Sequence, residues 1–262
     1  MKFRFTITVL LVFCLGGCGN WIKHANIFPI SQDVNLGYQV SQNFDQENSK
    51  IILDSAKNVE AYKYLYGLRD SILNTQSLIH AKDFTWRLRI IKDDTTQNAF
   101  CTPGGFIYVY TGLIKYLESE DQLAGVMGHE MAHAEKRHST DAMTREFGID
   151  IILKIAFGDS ANQLANIGKG LTQLKYGRDA ETEADMCSVE WLYKTSYNAV
   201  GAAGFFEKIE KQGNTSSVPE FLSTHPNPNN RIANMKKRWQ ELGGKTGKTY
   251  TERYKAFQKW FK

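Results

Sequence analysis

The sequence has little net charge. Its 262 residues include 32 Lys and Arg against 28 Asp and Glu, a formal charge of +4 that falls to +2 if Lys2 and Arg4 leave with a signal peptide. The body of the chain also lacks a basic stripe with interleaved aromatic residues. Clustered Lys and Arg are the electrostatic footprint of nucleic-acid binding, so the sequence argues against nucleic acid as a partner.

A long apolar segment is missing as well. The apolar run near the N-terminus, residues 5–15, is too short to span a bilayer. Lys2 and Arg4 precede it, and this layout is typical of a secretory signal peptide, which we place at residues 1–17.

The end of this segment resembles the bacterial lipobox, because residues 15–18 read L-G-G-C. We expect Cys18 to be lipidated and to anchor the chain to a membrane through a tether at 18–31. Gly19 follows it, not the Asp that would indicate retention at the inner membrane. The sequence thus predicts secretion across the inner membrane and an anchor in the outer membrane, facing the periplasm. The alternative is a signal peptide without lipid and a chance cysteine.

Cysteine is scarce. Of the four cysteines, Cys14 would leave with the signal peptide and Cys18 would carry lipid, which leaves Cys101 and Cys187. A disulfide between these two would suit an oxidising periplasm. Two separately buried thiols are the preferred interpretation, because the sequence gives no sign of the geometry that a disulfide requires.

Proline is absent from residues 121–137, a segment with helical periodicity. Within it residues 129–133 read H-E-M-A-H, and on a helix His129 and His133 lie one turn apart on the same face. This spacing allows two imidazoles to bind one zinc ion while Glu130 faces the water that a catalytic zinc activates. The alternative is a buried helix with two hydrogen-bonded core histidines and a chance glutamate.

The nearest histidine does not complete the zinc site. His138 lies nine residues after His129, on the opposite face of a continuing helix, and we expect it to face solvent near the helix C-terminus. The metzincin pattern is excluded, because it requires a glycine and a histidine where the chain has Lys136 and Ser139.

A carboxylate further along the chain is the better third ligand. Glu181 and Asp185 lie four residues apart and so share one face of a second helix. Glu181 would complete a His₂Glu set for one Zn²⁺ per chain and leave the fourth position to water, and Asp185 would orient an imidazole ligand. Glu183 is expected to be solvated or paired with Arg178. The alternative is an ordinary acidic start of a helix.

These motifs resemble the gluzincin zinc metallopeptidases related to HtpX and the CaaX prenyl protease, especially the BepA-like and LoiP-like members of the bacterial envelope. Further matching segments are N-A-F at 98–100, P-G-G-F-I-Y-V-Y-T-G-L at 103–113, S-T-H-P at 223–226 and R-I at 231–232. The resemblance implies a zinc-dependent endopeptidase that removes misfolded envelope proteins, with extended polypeptides as substrates and envelope assembly proteins as partners. The alternative is a chaperone or assembly factor that binds extended chains with little cleavage.

Two segments predict a small sheet. Residues 86–90 and 106–110 are rich in β-branched and aromatic side chains, and Pro103 with two glycines forms a turn. A strand that leads into the zinc helix could pair with an extended substrate; the alternative is a purely structural hairpin. The residues assigned to this substrate edge are Asn98, Ala99, Phe100, Gly104 and Gly105.

The zinc site implies a hydrolytic mechanism. Zinc would polarise the scissile carbonyl and lower the pKa of water at the site towards ~7, and Glu130 would carry the proton from water to the leaving amine. His225 and Arg231 are candidate catalytic residues for the oxyanion. The resemblance implies that His225 can come near the metal, where it either assists catalysis or occupies the open position; otherwise it is an ordinary loop residue.

The chain length suits a single domain with a sizeable core. Helical patterns dominate, so the expected fold class is α+β, mainly α, a gluzincin-type domain with a small β-sheet beside the H-E-x-x-H helix. We place the zinc metallopeptidase domain at 32–242 and a basic, aromatic C-terminal tail at 243–262. The preferred interpretation of the tail is packing onto the domain, and the alternative is docking on an anionic membrane or a partner.

Overall fold

Helices make up most of the part of the chain that the structure describes. The computed structural model describes residues 29–156, 167, 170–212, 220–226 and 230–261. The expected signal peptide, Cys18 and most of the expected tether lie outside these residues. Among the helices described, none has the length and apolar character needed to cross a bilayer.

Along the sequence, two helices precede the three strands and the other helices follow them. In chain order they are α1 (Ile30–Glu47), α2 (Val59–Leu73), β1 (Arg87–Ile91), β2 (Ala99–Thr102), β3 (Phe106–Tyr110), α3 (Thr111–Tyr116), α4 (Glu120–Glu135), α5 (His138–Phe147), α6 (Ile149–Ala156), a 3₁₀ turn (Leu171–Gln173), α7 (Arg178–Tyr193), α8 (Gly201–Gln212), α9 (Phe221–Thr224), α10 (Arg231–Glu241), α11 (Thr251–Gln258) and a final 3₁₀ turn (Lys259–Phe261). Helix α1 begins directly after Pro29, so regular structure starts inside the segment expected to be tether.

The three strands have the order β1-β3-β2. Strand β1 runs parallel to β3, and β2 runs antiparallel to it. In the turn between β2 and β3, Gly104 and Gly105 have φ values of 73° and 79°, and a Cβ on Gly105 would lie 2.8 Å from the ring of Trp86. Glycine is therefore required in this turn. Both glycines lie in the turn and outside the strands, and their assignment to the substrate edge stays a prediction.

The sheet separates two hydrophobic cores, because successive side chains of a strand point to opposite faces. Leu88 and Ile107 belong to the core formed with α2, α4, α7 and α8. Phe100 and Tyr108 face the other core, beside α1 and α5, and their rings are stacked with centroids 4.7 Å apart. Every residue of α4 is buried. The expected fold, mainly α with a small sheet beside the H-E-x-x-H helix, is confirmed.

The C-terminal tail packs onto the domain. Tyr254 and Phe257 of α11 are fully buried, and Phe257 stacks on Tyr64 of α2 with ring centroids 3.9 Å apart. The backbone carbonyl of Thr249 accepts hydrogen bonds from the amides of Glu120 and its neighbour, the first residues of α4. The tail therefore supplies an acceptor for the first backbone N–H groups of α4, which have no partner within the helix.

The two cysteines within the described chain are separate thiols. Cys101 and Cys187 are both buried and free of disulfide, which confirms the preferred interpretation. Burial raises the pKa of Cys101 well above its usual value and the pKa of Cys187 to about 12. A thiol that stays protonated is a poor nucleophile, so neither cysteine is equipped for covalent catalysis.

Candidate metal centre

Helix α4 presents its two histidines on one face, with the Nε2 atoms of His129 and His133 3.0 Å apart. Close packing also fixes the helix one turn before His129, at Gly125. A Cβ on Gly125 would lie 2.4 Å from the backbone nitrogen of Ala202 in α8, and the Ser188 hydroxyl of α7 donates to the carbonyl of Gly125 at 2.8 Å. The small residues of α4 thus allow two helices to approach its backbone and hold the histidines in place.

Helix α7 crosses α4 and brings a carboxylate to this pair. The two oxygens of Glu181 lie 3.4 Å from Nε2 of His129 and 3.4 Å from Nε2 of His133. Nδ1 of His225 lies 3.1 Å from Glu181 and 3.3 Å from Nε2 of His129. Donors around a tetrahedral zinc, with bonds of ~2.0–2.1 Å, are separated by about 3.4 Å. The four side chains therefore fit one zinc ion.

The side chains of this cluster have shifted pKa values, because they are buried and lie close to one another. Burial lowers the pKa of His129, but hydrogen bonds to Asp185 and Glu181 outweigh burial and raise it to about 9. Burial raises the pKa of Glu181, yet the adjacent histidines, His225 foremost, hold it below its usual range. Burial lowers the pKa of His133. A metal that binds at Nε2 of His129 must displace a proton from that imidazole.

Two residues outside the donor set, Asp185 and Arg231, hold the donor side chains in place through hydrogen bonds. Oδ1 of Asp185 lies 2.9 Å from Nδ1 of His129, which directs Nε2 of that ring towards the cluster. Arg231 of α10 donates to both oxygens of Asp185 at 2.7 Å and to Glu181 at 3.0 Å. The guanidinium thus binds the carboxylates of the donor set, and only its Nη1 lacks a hydrogen-bond partner among the described residues.

Glu130 is a buried carboxylate whose surroundings suit a general base. It is fully buried, and neither carboxylate oxygen has a hydrogen-bond partner in the described part of the chain. Burial raises its pKa. Nε2 of His225 lies 3.4 Å from Oε1 of Glu130. Buried carboxylates are normally hydrogen-bonded, so an unpartnered one beside a metal-donor set indicates a place for water or substrate.

Comparison with known proteins agrees with this geometry. Peptidase family M48 matches residues 68–239 of the chain. The chain belongs to peptidase family M48. It is 34% identical over 155 residues to the mitochondrial metalloendopeptidase OMA1 of Schizosaccharomyces pombe, which covers 57% of this chain and 45% of that relative.

Bacterial relatives also match this M48 chain over more than half of its length. A putative beta-barrel assembly-enhancing protease of Vibrio cholerae is 31% identical over 159 residues, and the beta-barrel assembly-enhancing protease of Escherichia coli is 29% identical over 159 residues. Each match covers 55% of this chain and 33% of the relative. The chain therefore spans less than half of the length of these curated relatives.

The chain itself covers the outer edge of β2. The carbonyl of Asn98 accepts from the backbone of β3, so the backbone groups of Ala99 and Cys101 point to the outer edge. The Ala99 amide donates to the Asn98 side chain at 2.9 Å, and the Cys101 carbonyl accepts from Ser139 at 2.8 Å and from Tyr176 at 3.4 Å. An added peptide strand would have to replace these partners.

His138 is buried, and the expectation that it faces solvent was wrong. Helix α4 ends at Glu135, and Arg137 takes a left-handed conformation with φ 61°. A new helix begins at His138, so the helical wheel does not extend to it. Its Nδ1 lies 3.2 Å from Nδ1 of His133. Its Nε2 lies 3.2 Å from Glu183, whose side chain is 46% exposed, so Glu183 is solvated as expected and has His138 as a partner.

Tyr176 is the site residue that sequence reasoning missed. Its ring stacks on His133 with centroids 3.7 Å apart and on His225 with centroids 5.1 Å apart. Its amide donates to the carbonyl of Thr224, the residue before His225. Nothing in the local spacing marks this tyrosine, because it reaches the site from a connection and not from a patterned helix.

Proposed function

We propose that this M48 chain is a zinc-dependent endopeptidase of the bacterial cell envelope that cleaves extended or misfolded envelope proteins. One observation carries the proposal. Donors from His129, His133 and Glu181 surround a single point, and the unpartnered carboxylate of Glu130 lies beside them. A purely structural zinc site has no use for a base in that position.

The chain supplies the proton chemistry. When bound, zinc would polarise the scissile carbonyl and make water more acidic. Glu130 takes a proton from the attacking water and delivers it to the leaving amine, and its raised pKa brings it closer to the range in which a group can do both. Asp185 and Arg231 hold the donors in position from behind. The unpartnered Nη1 of Arg231 is the nitrogen available to a developing oxyanion.

The described arrangement is closed to substrate. His129, Glu130, His133, Glu181 and His225 are each at most 1% exposed. His225 lies where a catalytic site would keep an open position. The segments that carry His225 and Tyr176 are joined by the hydrogen bond to the Thr224 carbonyl. Their movement would open the donor set and remove Tyr176 from the outer edge of β2, which supports extended polypeptides as substrates.

A second candidate function is an envelope chaperone or assembly factor that binds extended chains at β2 with little cleavage. The closed donor set supports it, since a guarded site cuts rarely. The intact Glu130 supports the peptidase, because binding alone requires no base.

The location proposal rests on the sequence and on the relatives. The lipobox-like end of the signal segment supports a lipid anchor at Cys18, in the outer membrane and facing the periplasm. Two bacterial relatives carry the name of beta-barrel assembly-enhancing proteases, which supports envelope assembly proteins as partners. In a Gram-negative host, Cys18→Ser should move the protein from the membrane fraction to the soluble periplasmic fraction. Retention of the variant in the membrane fraction would contradict the anchor.

The decisive experiment is digestion of casein by purified, zinc-loaded protein, with Glu130→Gln as the matched control. Gln keeps the shape of Glu but cannot accept the proton, so the control should bind zinc and leave casein intact. Cleavage by both proteins at one rate would refute the mechanism. Binding of unfolded casein without cleavage by either protein would favour the chaperone.

A further inference from the structure

A line of polar side chains connects the surface to the donor set. Nδ1 of His133 lies 3.2 Å from Nδ1 of His138, and Nε2 of His138 lies 3.2 Å from Oε2 of Glu183. The other oxygen of Glu183 pairs with Lys136 at 3.1 Å. His138 is buried, whereas the Glu183 side chain is 46% exposed. The line thus begins at a surface ion pair and ends at a candidate zinc ligand.

The turn between α4 and α5 creates this line. Arg137 takes the left-handed conformation, and its guanidinium donates to the buried carboxylate of Asp33 in α1, with Nε 2.7 Å from Oδ2. This ion pair holds the turn in place. The chain direction therefore changes immediately before His138. As a result, the imidazole of His138 in α5 lies beside the ring of His133 in α4.

The partners assign the hydrogen atoms. A carboxylate can only accept, so Nε2–H of His138 donates to Glu183. When the His138 ring carries this single hydrogen, its Nδ1 is an acceptor, and the hydrogen between the two rings belongs to Nδ1 of His133. Nε2 of His133, on the side of the ring that faces the donor set, is left with its lone pair for a metal ion. This is the tautomer that a metal ligand needs.

We propose that His138 is a positioning residue for the metal site, which holds His133 in its ligating tautomer and orientation and is itself held by Glu183. The inference rests on the proposed zinc site. His129 receives the corresponding support from Asp185, 2.9 Å from its Nδ1. The two histidine ligands are therefore oriented by different means, one by a buried carboxylate and the other by an imidazole that a surface carboxylate anchors.

The test is the zinc dissociation constant of the purified protein, measured by competition with a chromophoric chelator and without any activity assay. His138→Leu fills the space but offers no acceptor, and zinc binding should weaken by about 10- to 100-fold, the usual effect of removing such a partner. His138→Asn places an oxygen near the position of Nδ1 and should recover most of the affinity. His80→Leu, which removes a histidine paired with Asp83 on the surface, should leave zinc binding unchanged.

A second pair of variants covers the case in which His138→Leu does not fold. Glu183→Ala alters a half-exposed side chain and should weaken zinc binding several-fold, whereas Lys136→Met removes only the other partner of Glu183 and should not. Native affinity in either His138→Leu or Glu183→Ala would overturn the inference. If the unaltered protein itself bound no zinc, the proposed function would fail instead, so the two failures are distinguishable.

Discussion

Nδ1 of His225 lies 3.1 Å from Oε1 of Glu181, inside the donor set and not beside it. Four protein donors are typical of structural zinc sites, whereas a catalytic zinc keeps one position open. The two interpretations of His225 therefore differ in a measurable way. If His225 assists catalysis, its imidazole must remain in the donor set during the reaction. If it occupies the open position of the zinc, its imidazole must leave before substrate can bind.

We expect His225→Ala to increase the cleavage of casein. The contact of His225 with the Glu181 carboxylate is charge-assisted and worth about 1.5–3 kcal/mol. Since ~1.4 kcal/mol is tenfold in rate, its loss should raise the initial rate roughly tenfold or more if closure limits turnover. The initial rate with zinc-loaded protein is the measurement.

Two controls make this result interpretable. The double variant with Glu130→Gln should be inactive, which would exclude a contaminating protease. Zinc content should be determined for each protein, because His225 is also a candidate ligand. A rate that falls while zinc content stays at one per chain would show that His225 assists the reaction.

The sequence predicted those parts of the site that lie on uninterrupted helices. His129 with His133, and Glu181 with Asp185, were placed by their spacing, because helix geometry converts a separation of four residues into a shared face. His138 was misplaced because the helix ends at Glu135, and nothing in the spacing marks that end. Tyr176 enters from a connection, so its stacking on His133 depends on tertiary packing that periodicity does not encode.

Zinc binding should tighten as the pH rises. The pKa of His129 is raised from 6.5 to about 9, so below about 9 zinc must displace a proton. We expect the zinc dissociation constant to fall about tenfold per unit between about pH 7 and 9, as one proton is released. Chelator competition at several pH values, corrected for titration of the chelator, measures this. A dissociation constant independent of pH would contradict the assignment.

The raised pKa of His129 also makes the stability of the metal-free protein depend on pH, and here a higher pH is unfavourable. Its pKa in the folded state lies above the unfolded value, so the stabilisation is fully present below about pH 6.5 and is lost as the pH rises through about 9. Urea unfolding of chelator-treated protein should therefore show a falling contribution over this range. Asp185→Asn should weaken this dependence, because the neutral amide can still accept from Nδ1 of His129 but no longer supplies the negative charge that favours the imidazolium.

Replacement of Arg231 should destabilise the domain itself. The guanidinium is 2% exposed and binds Asp185 and Glu181, so Arg231→Ala leaves two buried carboxylates without this partner. Breaking a buried ion pair costs about 3–5 kcal/mol, and we expect a loss of this order in the free energy of unfolding from urea titration. Arg238→Ala, two turns later on the same helix, removes a partly exposed guanidinium paired with Glu190 and Glu241, and it should cost far less because exposed ion pairs contribute little. Equal losses in both variants would contradict a special role for Arg231.

Deletion of residues 249–262 should unfold the domain or greatly destabilise it. Tyr254 and Phe257 are fully buried, and burial of each aromatic side chain contributes about 1.5–3 kcal/mol. The deletion also removes the Thr249 carbonyl at the start of α4 and the Arg253 partner of the buried Glu120 carboxylate. Because a whole domain is stable by only about 5–15 kcal/mol, these losses are large enough to be seen as a lower Tm.

The matched control for the deletion is Trp260→Ala. Trp260 belongs to the same tail, but it is 50% exposed, so its removal should change Tm far less than the deletion does. Binding to vesicles that contain anionic lipid is measured in parallel on the unlipidated protein. A deletion that kept its Tm and lost vesicle binding would contradict packing and support docking, because a segment that stabilises α4 through Thr249 and Glu120 cannot be removed without loss of stability.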